Sequence, residues 1–79
     1  MARPNLPVKW NPNTSLTEYE YDRKGKRTKV RRRYYGANGY AVKNIDYKPH
    51  HGHPTPHAHD WDWSKPQPRQ GWRYLKPGE

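Results

Sequence analysis

Between Leu16 and Tyr47 apolar and polar side chains alternate with a period of two. Thr17, Tyr19 and Tyr21 interleave with Glu18, Glu20 and Asp22, and the runs "RKGK" (23–26) and "GANG" (36–39) interrupt the alternation. Alternation of this period is the signature of a half-buried strand, and glycine-containing breaks between such runs mark hairpin turns. The pattern predicts a three-stranded antiparallel meander over 16–22, 27–35 and 40–47, with Asn38-Gly39 as a type I′ turn.

Charge then suggests a register. With Lys24-Gly25 at the first turn, Asp22 falls opposite Arg27, Glu20 opposite Lys29 and Glu18 opposite Arg31, so every charged pair is of opposite sign. On the other side of the same strands Tyr21 meets Thr28 and Tyr19 meets Val30. A two-residue turn at Asn38-Gly39 sets Tyr35 opposite Val42, Arg33 opposite Asn44 and Arg31 opposite Asp46, with Arg32 against Ile45 and Val30 against Tyr47. One face then carries Tyr19, Tyr21, Val30, Tyr34, Ile45 and Tyr47 and reads as core. The other carries Glu18, Lys29, Arg31, Arg33, Tyr35 and Asp46 and reads as a polar working surface. A one-residue slip would exchange the two.

The flanks are of a different kind. Residues 1–13 hold three prolines and read as an extended arm pinned by Trp10. Residues 48–56 are a loop, because Pro49, Gly52, Pro54 and Pro56 forbid a helix and most ladder bonds. A fourth strand starts at His57, with His57, His59, Trp61 and Trp63 on one face and Ala58, Asp60 and Asp62 on the other. Residues 64–79 form an extended tail in which "GWRYL" adds a last short strand. No amphipathic helix and no internal repeat is visible. The expected organisation is therefore one domain over 1–79, with an arm (1–13), a β-meander (14–47), a His-rich loop and strand (48–63) and the tail (64–79). Its class is mostly β, a small antiparallel meander of three to five strands with Pro-rich termini.

Composition narrows the rest. The 79 residues are 29% hydrophobic and lack Phe, so four tryptophans and seven tyrosines must supply most of the apolar area. Cysteine is absent, which removes disulfides and thiolate zinc sites. No apolar run is long enough for a membrane-spanning helix, and the N-terminus lacks the apolar core of a signal peptide. The net charge of +9 predicts attraction to a polyanion, most simply RNA. It is unevenly spread: residues 1–49 have twelve Lys/Arg against four Asp/Glu, and residues 50–79 have four against three.

All five histidines lie in "HHGHPTPHAH", 50–59. An H-x-H pair on a strand puts two imidazoles on one side, and Asp60 or another histidine would complete a metal site, but the spacing matches no strong metal motif. Acid–base work asks for less. RNA carries its own nucleophile, the 2′-hydroxyl, so a protein needs only a base, an acid and cations for the phosphorane; histidine serves either proton role near neutrality, and Arg or Lys on a sheet face supplies the charge. Asp46 beside the loop would orient an imidazole. The plainer alternative is a solvated His-rich loop next to a charged hairpin.

The ordered strings "RRRYYGANGYAVKNIDY" and "HHGHPTPHAHDW" resemble a group of C-terminal toxin domains of bacterial polymorphic toxin systems, also met in prophage-encoded proteins and regarded as RNases. The pattern falls on Arg33, Tyr34, Tyr35, Gly36, Asn38, Gly39, Ile45, Asp46, Tyr47, His53, Pro54, Pro56, His57, His59 and Trp61, within residues 31–63. Asn44 stands where that pattern has a first acid, which leaves Asp46 as the acidic candidate. The resemblance implies a metal-independent ribonuclease-like sheet of barnase, EndoU or RelE type, and a cognate immunity protein as partner. It also implies action in the cytoplasm of a target bacterium, after delivery within a larger secreted or phage-encoded protein.

The leading expectation is thus a ribonuclease-type toxin without cofactor or metal. His57 and His59 are its acid and base, with His53 a further participant and Asp46 the orienting carboxylate. Arg31, Arg33, Lys29 and Tyr35 bind the RNA. The rivals are a non-catalytic basic nucleic-acid-binding protein of phage or ribosome type, and a His-rich metal-binding module.

Overall fold

The computed structural model describes residues 6–48 and 52–79. Residues 1–5 of the arm and Pro49, His50 and His51 of the loop lie outside that range. Five strands, β1 (Ser15–Tyr21), β2 (Arg27–Tyr35), β3 (Ala41–Asp46), β4 (His57–Trp61) and β5 (Arg69–Arg73), form one antiparallel sheet in chain order. The meander is as expected, and the fourth and fifth strands both form, β5 starting two residues before "GWRYL". Among the described residues there is no helix, and none long and apolar enough to cross a membrane.

The register matches expectation at the middle of the strands and departs from it at the turns, for one reason that acts twice. Glu18 pairs with Arg31 in β1–β2, and Arg31 with Asp46, Arg32 with Ile45 and Arg33 with Asn44 in β2–β3. Near the turns, however, Tyr19 pairs with Lys29, Glu20 with Thr28, Tyr21 with Arg27, and Tyr35 with Ala41. Each turn is one residue longer than the sequence suggests. In the first, Gly25 N–H donates to Asp22 O and Asp22 N–H to Lys26 O; in the second, Gly39 N–H donates to Gly36 O and Gly36 N–H to Tyr40 O. Gly25 and Gly39 take φ of 81° and 84°, whereas Asn38 does not enter the positive-φ region that a type I′ turn demands there. These are three-residue loops, a type I turn followed by a left-handed glycine. The additional residue is absorbed by a bulge on one strand: Val30 is left between the Glu18–Arg31 and Tyr19–Lys29 pairs, and Val42 between Tyr34–Lys43 and Tyr35–Ala41. Asp22 secures the first loop by accepting from the amides of Lys24 and Lys26.

The faces also differ from expectation. On the anticipated core face Ile45 and Ala58 are buried, but Tyr34 and Tyr47 are half-buried and Tyr21 is 51% exposed. The anticipated working face is the more enclosed one: Arg33, Tyr35, Asn44, Asp46, His57 and His59 are all buried. The N-terminal arm accounts for part of this. Its backbone pairs with the second hairpin (Trp10 N–H to Gly39 O, Ala41 N–H to Val8 O), and the carbonyls of Leu6 and Pro7 receive Arg33 Nη1 at 2.6 and 3.2 Å. Trp10 itself is 46% exposed, so main-chain bonds and the buried Leu6, rather than the indole, hold the arm. The C-terminus is tied to the opposite face, where Glu79 accepts from Arg73 and Lys43.

Candidate metal-ligating and phosphate-facing site

Antiparallel register places chemistry in rows. Glu18, Arg31, Asp46 and His57 are successive cross-strand partners from β1 to β4; one step along, Leu16, Arg33, Asn44, His59 and Trp72 run from β1 to β5. The period of two in "HAH" sets both imidazoles on the Asp46 side of β4. The result is a cluster centred on the Asp46 carboxylate. Arg31 Nε donates to Oδ1 at 2.8 Å, while Oδ2 faces His57 Nε2 at 3.4 Å, His59 Nε2 at 3.6 Å and Arg69 Nη2 at 3.6 Å. Arg31 also reaches Glu18 at 3.3 Å.

Each ring has a defined orientation. His57 Nδ1 lies 2.8 Å from Pro54 O and His59 Nδ1 2.9 Å from Gln70 O. A carbonyl only accepts, so both Nδ1 atoms carry hydrogen and both Nε2 lone pairs of the neutral rings point at the carboxylate. Neither Nε2 has a hydrogen-bond partner although both are fully enclosed. Burial holds the His59 imidazole below its ordinary pKa, against the smaller opposing pull of its bond to the Gln70 carbonyl.

The sequence-expected residues divide accordingly. Asp46, His57, His59 and Arg31 meet at one point. His53 stays outside that group, its ring 5.3 Å from that of His57 and 5.2 Å from that of Trp72. Arg33 is not a phosphate clamp: its guanidinium donates to Asn44 Oδ1 at 2.8 Å and to the arm carbonyls, and lies over the Trp61 ring. Burial lowers its pKa from the ordinary arginine value. Tyr35 likewise faces inward and donates its hydroxyl to Pro7 O at 2.6 Å. Lys29 is carried to the tyrosine face by the Val30 bulge, where its ammonium sits over the Tyr47 ring at 4.5 Å. Asp46 faces Nε2 of both rings at 3.4 and 3.6 Å, longer than the hydrogen bond expected of an orienting carboxylate, while the backbone takes Nδ1, so both nitrogens of each ring are turned to protein atoms. Arg69 joins the cluster without being expected there. It reaches Asp46 from two strands away, and its only signal in the sequence is a basic residue opening the last strand.

What this arrangement can do chemically is bind a cation between three donors, or present two arginines beside a carboxylate to an incoming anion. The ligand atoms of Asp46, His57 and His59 all lie within 4.8 Å of one another. Comparison with models of known families, with curated proteins and with solved structures finds no match to this chain.

Proposed function

We propose that this protein binds RNA through its basic hairpin and cleaves it at the Asp46 cluster. The observation that carries the reading is the meeting of Asp46, His57, His59, Arg31 and Arg69 in one place on a chain of net charge +9. Cleavage by the RNA's own 2′-hydroxyl needs proton transfer and stabilisation of a phosphorane, and imidazoles flanked by guanidinium groups are the side chains for both. Arg69, whose side chain is 44% exposed, is the member of the cluster that a phosphate would meet first. Binding falls to Arg23, Lys24, Lys26, Arg27 and Lys29, all exposed in or beside the first loop, with Arg27 over the Tyr19 ring.

A second reading, a nucleic-acid-binding protein without catalysis, draws on one observation: the Nε2 atoms that would move protons are enclosed and face Asp46. Incubation with single-stranded RNA decides between the two. Fragments ending in 2′,3′-cyclic phosphate, lost in His59→Ala and Arg69→Gln while RNA binding persists, support cleavage. Salt-sensitive binding by wild-type protein with intact RNA, with and without added zinc, leaves the binding protein. The toxin setting and an immunity partner extend this proposal and are tested by whether expression halts bacterial growth.

A further inference from the structure

We propose that Asp46, His57 and His59 form a binding site for a divalent transition-metal ion, zinc in the first instance. The claim concerns the cluster itself and holds whether or not the protein cuts RNA.

Four features of the geometry point there. First, the separations are wrong for hydrogen bonds and right for a shared ion. At 3.4 and 3.6 Å, His57 Nε2 and His59 Nε2 stand beyond ordinary bonding distance of Asp46 Oδ2. A tetrahedral zinc ion with bonds of about 2.1 Å to nitrogen and oxygen holds its ligand atoms roughly 3.4 Å apart. Second, the rings are set for ligation: the Nδ1–H groups donate to the carbonyls of Pro54 and Gln70, which fixes the tautomer with Nε2 free. A backbone carbonyl on the distal nitrogen is a usual second partner of a metal-bound histidine. Third, the two carboxylate oxygens have separate tasks, since Arg31 takes Oδ1 and Oδ2 is left to face the imidazoles. Fourth, without an ion two enclosed lone pairs confront a carboxylate oxygen, an arrangement with no attraction to offset the burial of either nitrogen.

The charges are compatible. Glu18 and Asp46 balance Arg31 and Arg69, and one negative charge is left for an ion when Arg69 turns away. Arg69 is the competitor, a second cation 3.6 Å from Oδ2, but its side chain is half in solvent and can turn away. Three protein ligands leave a fourth position open, as in zinc sites that bind water or an anion. With the Arg69 guanidinium on the same carboxylate and able to swing outward, an anionic oxygen such as that of a phosphate is the fourth ligand the cluster favours. With the ion in place the imidazoles would no longer transfer protons, and a bound water would take the role of base.

The test uses the full chain, stripped of metal with chelator and dialysed. Titration with Co²⁺ should give the visible absorption of a four-coordinate ion, saturating at one equivalent and displaced by Zn²⁺. Asp46→Asn should weaken Zn²⁺ binding on the order of 100-fold, and Arg69→Gln should tighten it several-fold by removing the competing cation. Histidine ring ¹⁵N spectra of the wild type supply an independent reading that stands even where Asp46→Asn unfolds this small sheet. Zn²⁺ should shift Nε2 of His57 and His59, and not Nδ1. Absence of saturable binding overturns the proposal. So does binding reported only by the rings of His50, His51 or His53, or a folded Asp46→Asn protein with unchanged affinity. Metal binding without RNA cleavage would leave this site standing and remove the ribonuclease reading; cleavage unaffected by chelator, with no metal bound, would do the reverse.

Discussion

The β1–β2 hairpin and the β3–β4 ladder are both rich in charged and aromatic residues, yet they dispose of them in opposite ways. From Tyr21 to Lys29 every residue is exposed, and the cations there lie over tyrosine rings or in water. From Asn44 to Asp46 and from His57 to His59 every residue is buried, and polar groups face one another across the ladder. The difference lies in neighbours. β1 is an edge strand with the loop end of the hairpin projecting beyond the sheet, whereas β3 and β4 are flanked on both sides. Charge on the hairpin is available to a polyanion at small energetic consequence, while charge on the ladder is part of the fold.

Substitution at the ladder should therefore have the largest effect. Asp46→Ala removes the carboxylate that Arg31 and Arg69 share and leaves Arg31 with Glu18 alone, and breaking so enclosed an ion pair costs about 3 kcal/mol. Urea denaturation should show that loss, and a change below about 1 kcal/mol would mean the ladder behaves like the hairpin. Next comes Gly39→Val, at the turn that joins β2 to β3. Its φ of +84° strains a β-branched residue, and a Cβ would stand 2.7 Å from the Trp10 carbonyl oxygen. We expect about 1–3 kcal/mol of destabilisation, together with earlier proteolysis of the arm. If the arm stays protected, its attachment does not depend on that turn.

A smaller effect follows from pH. The folded state holds the His59 pKa below its value of about 6.5 in an unfolded chain. An unfolded chain therefore binds a proton that the folded one resists, and stability declines as pH falls through about 6.5. Asp60 and Glu79, each held below the ordinary carboxylate range by hydrogen bonds from Arg73, extend the loss at more acid pH. Thermal melts at pH 8, 6 and 4 should descend in that order, and His59→Gln should flatten the descent from about pH 6.5 downward while leaving the carboxylate loss at the acid end. The smallest structural effect belongs to the hairpin. Lys24→Gln with Lys26→Gln should leave stability within about 0.5 kcal/mol. The same pair should reduce the slope of log affinity for single-stranded RNA against log salt by about 0.7 for each phosphate no longer neutralised. An unchanged slope would move RNA binding off the hairpin.

The meander is legible in the sequence because alternation and opposite charge identify strands and their order. Glu18–Arg31 and Arg31–Asp46 emerge correctly for that reason, and with them half of the cluster. Loop length is what the sequence hides. "RKGK" and "GANG" announce a turn but not whether it has two residues or three, and the shorter choice puts Lys29 on the wrong face and pairs Val30 with Tyr19 and Val42 with Tyr35, whereas Tyr19 meets Lys29 and Tyr35 meets Ala41; Val30 keeps only its expected neighbour Tyr47. Burial is hidden too, because Arg33 and Tyr35 look like surface residues until the arm crosses them, and nothing in "LPVKW" says where it will lie. Arg69 escapes notice because reaching across two strands depends on side-chain length, not on register.

The bulges have a consequence for length variation. Val30 has no partner on β1, so removing it alone keeps Tyr19 opposite Lys29 and Glu18 opposite Arg31, with the flanking side chains on their present faces and the cluster in frame. Val42 stands in the same way between the Tyr34–Lys43 and Tyr35–Ala41 pairs. Deleting a paired residue such as Arg32 shifts the register and sends side chains meant for one face to the other. Viable shortened forms of this sheet should therefore lose these two valines before any paired strand residue.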